Sequence, residues 1–393
     1  MGPFALDELN AYTSDRCLRR YQRLILENRP FLLAIDERIF SFVRSEALTY
    51  ANLLFFKSDD SYFYTVADGA SNGYEIPKAL HSVTGKQHNF VQRPFSRDET
   101  CITIGHSNFA HVLWNHLSAF HLVTSSGHHA YCQTKDFLGD IADILRISGE
   151  SVAANDLRQF KNTLLVGGEY LNHETHAALI RFLEEKMSSF PLPPEREDKT
   201  IIYLGVRGAV VRELENEVEF YSHLIKTFMA HEPRAFFYLD GFSFTNSNST
   251  CEKALLRSHQ AHSRIMEIVH GLAADRYRII NGLPLIEALS YIRHAEFYIT
   301  HEGTMQHKVG WFFPQKRGAI VTGSSFQDST AEWHSNQVAG AVQPYHLKES
   351  HVVPFKDGNR DSSFAIRDIP GSSELLVESF FGSSRNRVSG SEC

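Results

Sequence analysis

From Thr200 to Gly323, apolar β-type runs alternate with stretches of helical spacing, and this alternation constrains the fold more than anything else in the chain. TIIYLGV (200–206), RAFFYLD (234–240), RYRII (276–280), EFYIT (296–300) and GAIVTG (318–323) read as strands. Residues 216–230 place apolar side chains at 218, 221, 224 and 225, the spacing of a helix with one buried face. Residues 249–272 predict a long helix with Ser249 or Thr250 as N-cap. Residues 284–294 predict a short one with Pro284 in its first turn, and TMQHKVGWFF opens another. Strands that alternate with helices are joined by crossovers, so the sheet is expected to be parallel, with helices on both faces. Such a sheet takes its ligand in the crevice beyond the carboxyl ends of the strands.

A chain of 393 residues exceeds what one core usually holds, so two domains are expected. The break falls at SSFPLPPEREDKT, where three prolines in four positions precede a run of charge and make a stiff polar linker. This gives a first domain over 1–187, a linker over 188–199, a second domain over 200–345 and an extension over 346–393. The Ser-rich tail after Gly382 is expected to be disordered. The first half is less regular: FLLAIDERIFSFV, ALTYANLLFF, YFYTV and NTLLVGG suggest strands. SNFAHVLWNHLSAF (107–120), 136–150 and 173–187 suggest helices. An α/β first domain follows.

Several classes drop out. A net charge of −7 argues against a general grip on nucleic acid. No apolar run approaches the roughly 18–20 residues of a membrane span. Five cysteines without CxxC spacing suit a reducing compartment, and the start of the chain lacks a basic segment followed by an apolar one, so the expected location is the cytoplasm. No G-x-S-x-G elbow is present for a serine hydrolase. His128-His129 and HETH (173–176) lack full metal-ligand spacing and read as surface features, and Asp59-Asp60 is a poor match to an Asp-x-Asp pattern.

Three segments place chemistry-bearing side chains where a ligand would lie. On a helical projection of 107–120, Phe109, Leu113, Leu117 and Phe120 form the core stripe, Asn108, His111 and Asn115 share a neighbouring line, and His116 sits at the edge of the apolar stripe. Either the histidines are satisfied by carbonyls, or the helix lines a cleft and offers imidazole as acid or base. In YLGVRGAVVRELENEVEFY, Arg207 and Arg212 fall between a strand end and the helix starting at Asn216-Glu217. Two guanidiniums there suit a diphosphate, or they are surface cations bridged to Glu213 and Glu215. In YITHEGTMQHKVGW, His301, Glu302 and Gly303 form the next strand-to-helix turn, with Thr304 able to cap the helix. Asp240 closes the second strand of this half.

Taken in order, Asn-x-x-His, then strand-Arg-x(4)-Arg-x(3)-Asn-Glu, then a strand ending in a His-containing turn, the chain resembles the family 61 glycosyltransferases. Asn108 and His111 match the first segment; Arg207, Arg212, Asn216 and Glu217 the second; His301 the third. The family's acidic residue after Asn-x-x-His is replaced by Asn115-His116, and its His-Gly-Ala turn by His301-Glu302-Gly303. The resemblance implies a GT-B architecture, with two Rossmann-like domains facing across a cleft and the nucleotide on the C-terminal one. It implies metal-independent transfer from a nucleotide sugar, UDP-linked by expectation, to a glycan or glycoconjugate hydroxyl. The donor is a substrate, so no resident cofactor is expected. Arg207, Arg212, Asn216, Glu217, His301, Gly303 and Thr304 would hold the donor, with Asp240 near the ribose or base. Asn108 would orient the acceptor. His111, His116 or Glu302 would be the base, with Asn115 beside it. A lipid-linked acceptor would bring the chain to the inner face of a membrane as a peripheral protein. A non-catalytic nucleotide- or sugar-binding module and a nucleotide-sugar epimerase are the alternatives.

Overall fold

The computed structural model describes residues 33–35, 38–44, 51–57, 62–70, 97–104, 110, 112–124, 128–133, 138–153, 156, 160–165, 171, 173–208, 213–243, 252–273, 275–323, 341–347, 349–354 and 363–388, with backbone path alone before residue 101. The chain divides into two compact units, Met1–Phe182 and Leu183–Cys393.

The first unit carries two sheets. β1 (Leu33–Ile35), β2 (Arg38–Arg44), β3 (Ala51–Lys57) and β4 (Tyr62–Ala70) form an antiparallel sheet in chain order. β5 (Arg97–Ile104), β6 (His129–Gln133), β7 (Gly149–Ser151) and β8 (Phe160–Leu165) form a parallel sheet in the order β7-β6-β5-β8. Numbered from β5, that order is 3-2-1-4, the core of a doubly wound unit. The 107–120 segment is helical, but Val112–Leu117 is a π-helical turn that runs into α1 (Ser118–Thr124). Leu113, Leu117 and Phe120 are fully buried, as the projection expects. The alignment of the polar residues is not secured, because an i→i+5 turn winds each residue through less than the 100° assumed. The helix expected over 136–150 shrinks to α2 (Ile141–Leu145). Asp140 caps its start, and Arg146 ends it with φ 54°, after which the chain turns into β7.

Helix α3 (His173–Met187) runs across the division, and the second unit continues through a 3₁₀ turn, Pro194–Arg196. That turn lies in the Pro-rich segment and is packed down. Glu195 is 7% exposed, takes two hydrogen bonds from Arg278, and accepts from the Tyr238 hydroxyl at 3.0 Å.

β9 (Thr200–Gly205), β10 (Ala235–Asp240), β11 (Tyr277–Ile279), β12 (Phe297–His301), β13 (Arg317–Val321) and β14 (Tyr345–His346) pair in the order β11-β10-β9-β12-β13-β14, all parallel. Counted from β9 this is 3-2-1-4-5-6, the Rossmann order. The crossovers are α4 (Glu217–His231), α5 (Glu252–Ala273), α6 (Leu285–Ile292) and α7 (Thr304–Gly310).

Alternate strand residues serve opposite faces. Ile202, Leu204, Phe237, Leu239, Phe297 and Ile299 join a core with α4 and α5. Tyr238 sits on the other face, edge-on to Tyr291 of α6. The short hairpin of β15 (Val352–Val353) and β16 (Ala365–Ile366) and the helix α8 (Ile369–Val388) complete the first core. Phe380 of α8 packs on Phe228 and Phe297, so the expected extension is part of the core, and its helix runs past Gly382 to Val388. No described helix is long and apolar enough to cross a membrane.

Two glycine substitutions test the packing from opposite sides. A Cβ on Gly318 would overlap the Tyr298 ring and carbonyl. Gly318→Ala is therefore expected to cost about 1–3 kcal/mol in denaturant unfolding. Gly271, inside α5, has open space around its Cβ position, so Gly271→Ala is expected to add about 0.5–1 kcal/mol.

Candidate functional site

In the 3-2-1-4-5-6 order, the first and fourth strands are neighbours whose connections leave in opposite directions, and the crevice opens at their carboxyl ends. Here those strands are β9 and β12, which continue into Arg207-Gly208 and His301-Glu302-Gly303.

Glu217 joins the two strand ends. It is the first residue of α4 and only 8% exposed. Its carboxylate folds back to accept the main-chain N–H of Arg207 at 2.8 Å and of Gly208 at 3.0 Å. Gly208 holds φ 54°, and a Cβ there would lie 2.9 Å from the Arg257 carbonyl, so the turn needs glycine. From the other strand, His301 Nε2 approaches Glu217 Oε1 to 3.0 Å, a close contact lying off the N–H axis. Burial alone would raise the Glu217 carboxyl. The imidazole and the two N–H donors outweigh it and hold the group below the ordinary glutamate value. The His301 ring is 2% exposed, and its Nδ1 has no hydrogen-bond partner among the described residues.

The structure describes several of the other expected site residues. Arg207 is half-buried at the end of β9. Gly303 adopts φ 105°, closed to residues with a Cβ, and leads into α7 at Thr304. Glu302 is buried and accepts a hydrogen bond from the Thr322 hydroxyl, while its own N–H donates to the Val321 carbonyl. The Asn216 amide donates to the Ile366 carbonyl at 2.8 Å and accepts the Ile366 N–H at 3.0 Å. Asp240 is fully buried at the end of β10, where it accepts from Tyr203, Lys308 and the Gly241 N–H. Asn108, His111 and Arg212 lie outside the described residues. Asn115 and His116 are on the π-helical turn, with side chains outside the described set.

Sequence reasoning missed Lys308. Its ammonium, 4% exposed, sits 2.7 Å from Asp240 Oδ2 and 2.8 Å from the Ser243 hydroxyl. This ties α7, just after the His301 turn, to the end of β10. Lys308 falls one helical turn beyond Thr304, but nothing in the sequence pairs it with an aspartate 68 residues earlier. His262 of α5 lies fully buried in the same region without an aligned hydrogen bond. Burial drives its pKa down to about 4, against the opposing pull of Asp240 and Glu217.

No protein-family model matches the chain, and no curated protein matches it. Solved structures that overlap it at low identity include three with the following matches. A trehalose-6-phosphate synthase, OtsA, is 13% identical over 75% of this chain and 67% of its own, with a TM-score of 0.34. An apo structure of OtsA is 12% identical over 73% and 68%, with a TM-score of 0.31. The dodecameric iron-containing heptosyltransferase TibC, in complex with ADP-D-β-D-heptose, is 10% identical over 90% and 95%, with a TM-score of 0.36. These comparisons give no family 61 assignment, and at such TM-scores the activity is left to be argued from the site.

Two measurements probe the site's electrostatics. His262 binds its proton at about 4 when folded and near 6.5 when unfolded. Between those values the unfolded chain holds the extra proton. The stability this group allows is complete above pH 6.5 and is lost as pH falls, at up to about 1.4 kcal/mol per unit. His262→Phe is expected to flatten unfolding free energy against pH in that window by one proton; an unchanged slope would contradict the assignment. Lys308→Met strands the Asp240 charge and is expected to cost about 3–5 kcal/mol, with most of it recovered in Asp240→Asn/Lys308→Met.

Proposed function

We propose that the chain is a glycosyltransferase of GT-B type that moves a sugar from a nucleotide sugar, UDP-linked, to a hydroxyl of a glycan or glycoconjugate acceptor, without a resident metal. The observation that carries the reading is the Glu217–His301 contact, which brings two of the resemblance's three segments together at the switch point of the Rossmann-like sheet.

In transfer, the acceptor oxygen bonds to the anomeric carbon while the bond from that carbon to the phosphate oxygen breaks. The diphosphate leaves with the electron pair, so negative charge grows at the strand ends. Arg207 supplies a cation there, and Arg212 is the second by sequence. His301, oriented by Glu217, offers Nδ1 as a donor when protonated. The N–H groups of Arg207 and Gly208 are already committed to Glu217, so the phosphate contacts fall to side chains and to the Gly303-Thr304 turn. The acceptor proton goes to a base, with His111 and His116 as sequence candidates. Glu302 is weaker, because its carboxylate is buried and bonded to Thr322.

Thermal unfolding in the presence of nucleoside diphosphates tests the reading. UDP is expected to raise the melting temperature of the wild type, with about 2.7 kcal/mol of stabilisation at a hundred times its Kd. Arg207→Ala and His301→Ala are each expected to lose most of that shift. Indifference of the wild type to every nucleoside diphosphate would remove the proposal. Binding of UDP without turnover of any UDP-sugar would favour a non-catalytic module, and conversion of a UDP-sugar without an acceptor would favour an epimerase.

A further inference from the structure

The Glu217–His301 pair has a cover that no sequence motif announces. Phe364, 3% exposed, meets the His301 ring edge-on, with centroids 6.1 Å apart and planes at 69°. Its N–H donates to the Glu213 carbonyl, and its carbonyl accepts the Glu215 N–H, both at 2.9 Å. Leu214 and Phe364 form an isolated parallel bridge. Asn216, next to Glu217, closes the arrangement by using its side-chain amide as a strand would, with one bond to each main-chain group of Ile366. Gly323 leaves the room: a Cβ there would overlap the Phe364 side chain. The Tyr221 ring also stands 6.1 Å from His301, with its hydroxyl donating to the Gly205 carbonyl at 2.9 Å.

The imidazole is thus flanked by two aromatic rings. Its contact with Glu217 is short but poorly aligned, so its strength depends on keeping water away, since water competes for both groups and screens the charge. Tyr221 belongs to the body of α4 and moves only with the core. Phe364 is buried in the same core and is also tied by its main-chain hydrogen bonds to the segment around Glu217, so its ring can be truncated without altering α4.

We propose that Phe364, latched by Asn216, is a positioning residue for the Glu217–His301 pair: it presses the imidazole onto the carboxylate and excludes water from it. The consequence for transfer rests on the donor-site reading above, while the positioning itself does not.

The test uses the full chain and two readouts that need no substrate. One is the rate of carbethoxylation of His301 by diethyl pyrocarbonate, followed by mass spectrometry, with the exposed His259 as internal reference. The other is the pair of ring ¹⁵N shifts of His301 in histidine-labelled protein, assigned with His301→Gln. In the wild type His301 is expected to react at least about tenfold more slowly than His259. Phe364→Ala and Asn216→Ala are each expected to raise the His301 rate about tenfold and move its ¹⁵N shifts, while Phe364→Leu restores slow reaction. If Phe364→Ala does not fold, Asn216→Ala and the wild-type comparison decide the matter. Unchanged His301 rate and shifts in the folded variants, or a wild-type His301 as reactive as His259, would overturn the proposal. Because neither readout involves a nucleotide, indifference to UDP would end the donor reading and leave this result standing or falling alone.

Discussion

A carboxylate buried at a helix start organises the carboxyl edge of the second unit. An isolated charge of that kind is costly to bury, and the structure offsets the cost three ways, with two main-chain N–H donors from the first strand and an imidazole from the fourth. One side chain thereby fixes the turn after β9, the start of α4 and the orientation of His301. It also decides what a ligand can use. The main-chain donors a phosphate would seek at this strand end are occupied, so on the proposed reading recognition would fall to Arg207, His301 and the turn at Gly303.

A second charged contact lies on the opposite face of the same sheet. Lys308 and Asp240 bind α7 to the end of β10, with Tyr203 below and Ser243 beside them. Strand parity explains the division. Tyr203 and Tyr298 point to the α6–α7 face, whereas Leu204 and Ile299 join the core on the α4–α5 face. The crevice is therefore framed by one buried polar contact on each side of the sheet, Glu217–His301 and Asp240–Lys308.

The architecture was legible because it is written in local periodicity. Period-two apolar runs alternating with 3.6-residue spacing located β9 to β13 and α4 to α7 to within a few residues, and parallel pairing followed from the crossovers. The strand-end positions of Arg207, His301 and Gly303 were legible for the same reason. What escaped depends on distant partners or on local geometry that propensity does not encode. Asn216 reads as a ligand residue beside Glu217, yet its partner is 150 residues away. Phe364 lies in a segment with no motif. The π-helical turn at Val112–Leu117 has no sequence mark, and the projection of His111, Asn115 and His116 assumed ordinary winding. Arg146 ends α2 in a left-handed conformation that glycine or asparagine would have signalled, and its identity hid the stop.

The central claim, that the strand-end turn built around Glu217 is a donor diphosphate site, is tested most directly by a crystal structure of the chain with UDP. The account expects the diphosphate within hydrogen-bond reach of the Arg207 guanidinium and the His301–Thr304 turn, with the Glu217 carboxylate still holding the N–H groups of Arg207 and Gly208. UDP bound elsewhere with that turn unaltered, or a crevice that stays empty at saturating UDP, would contradict it.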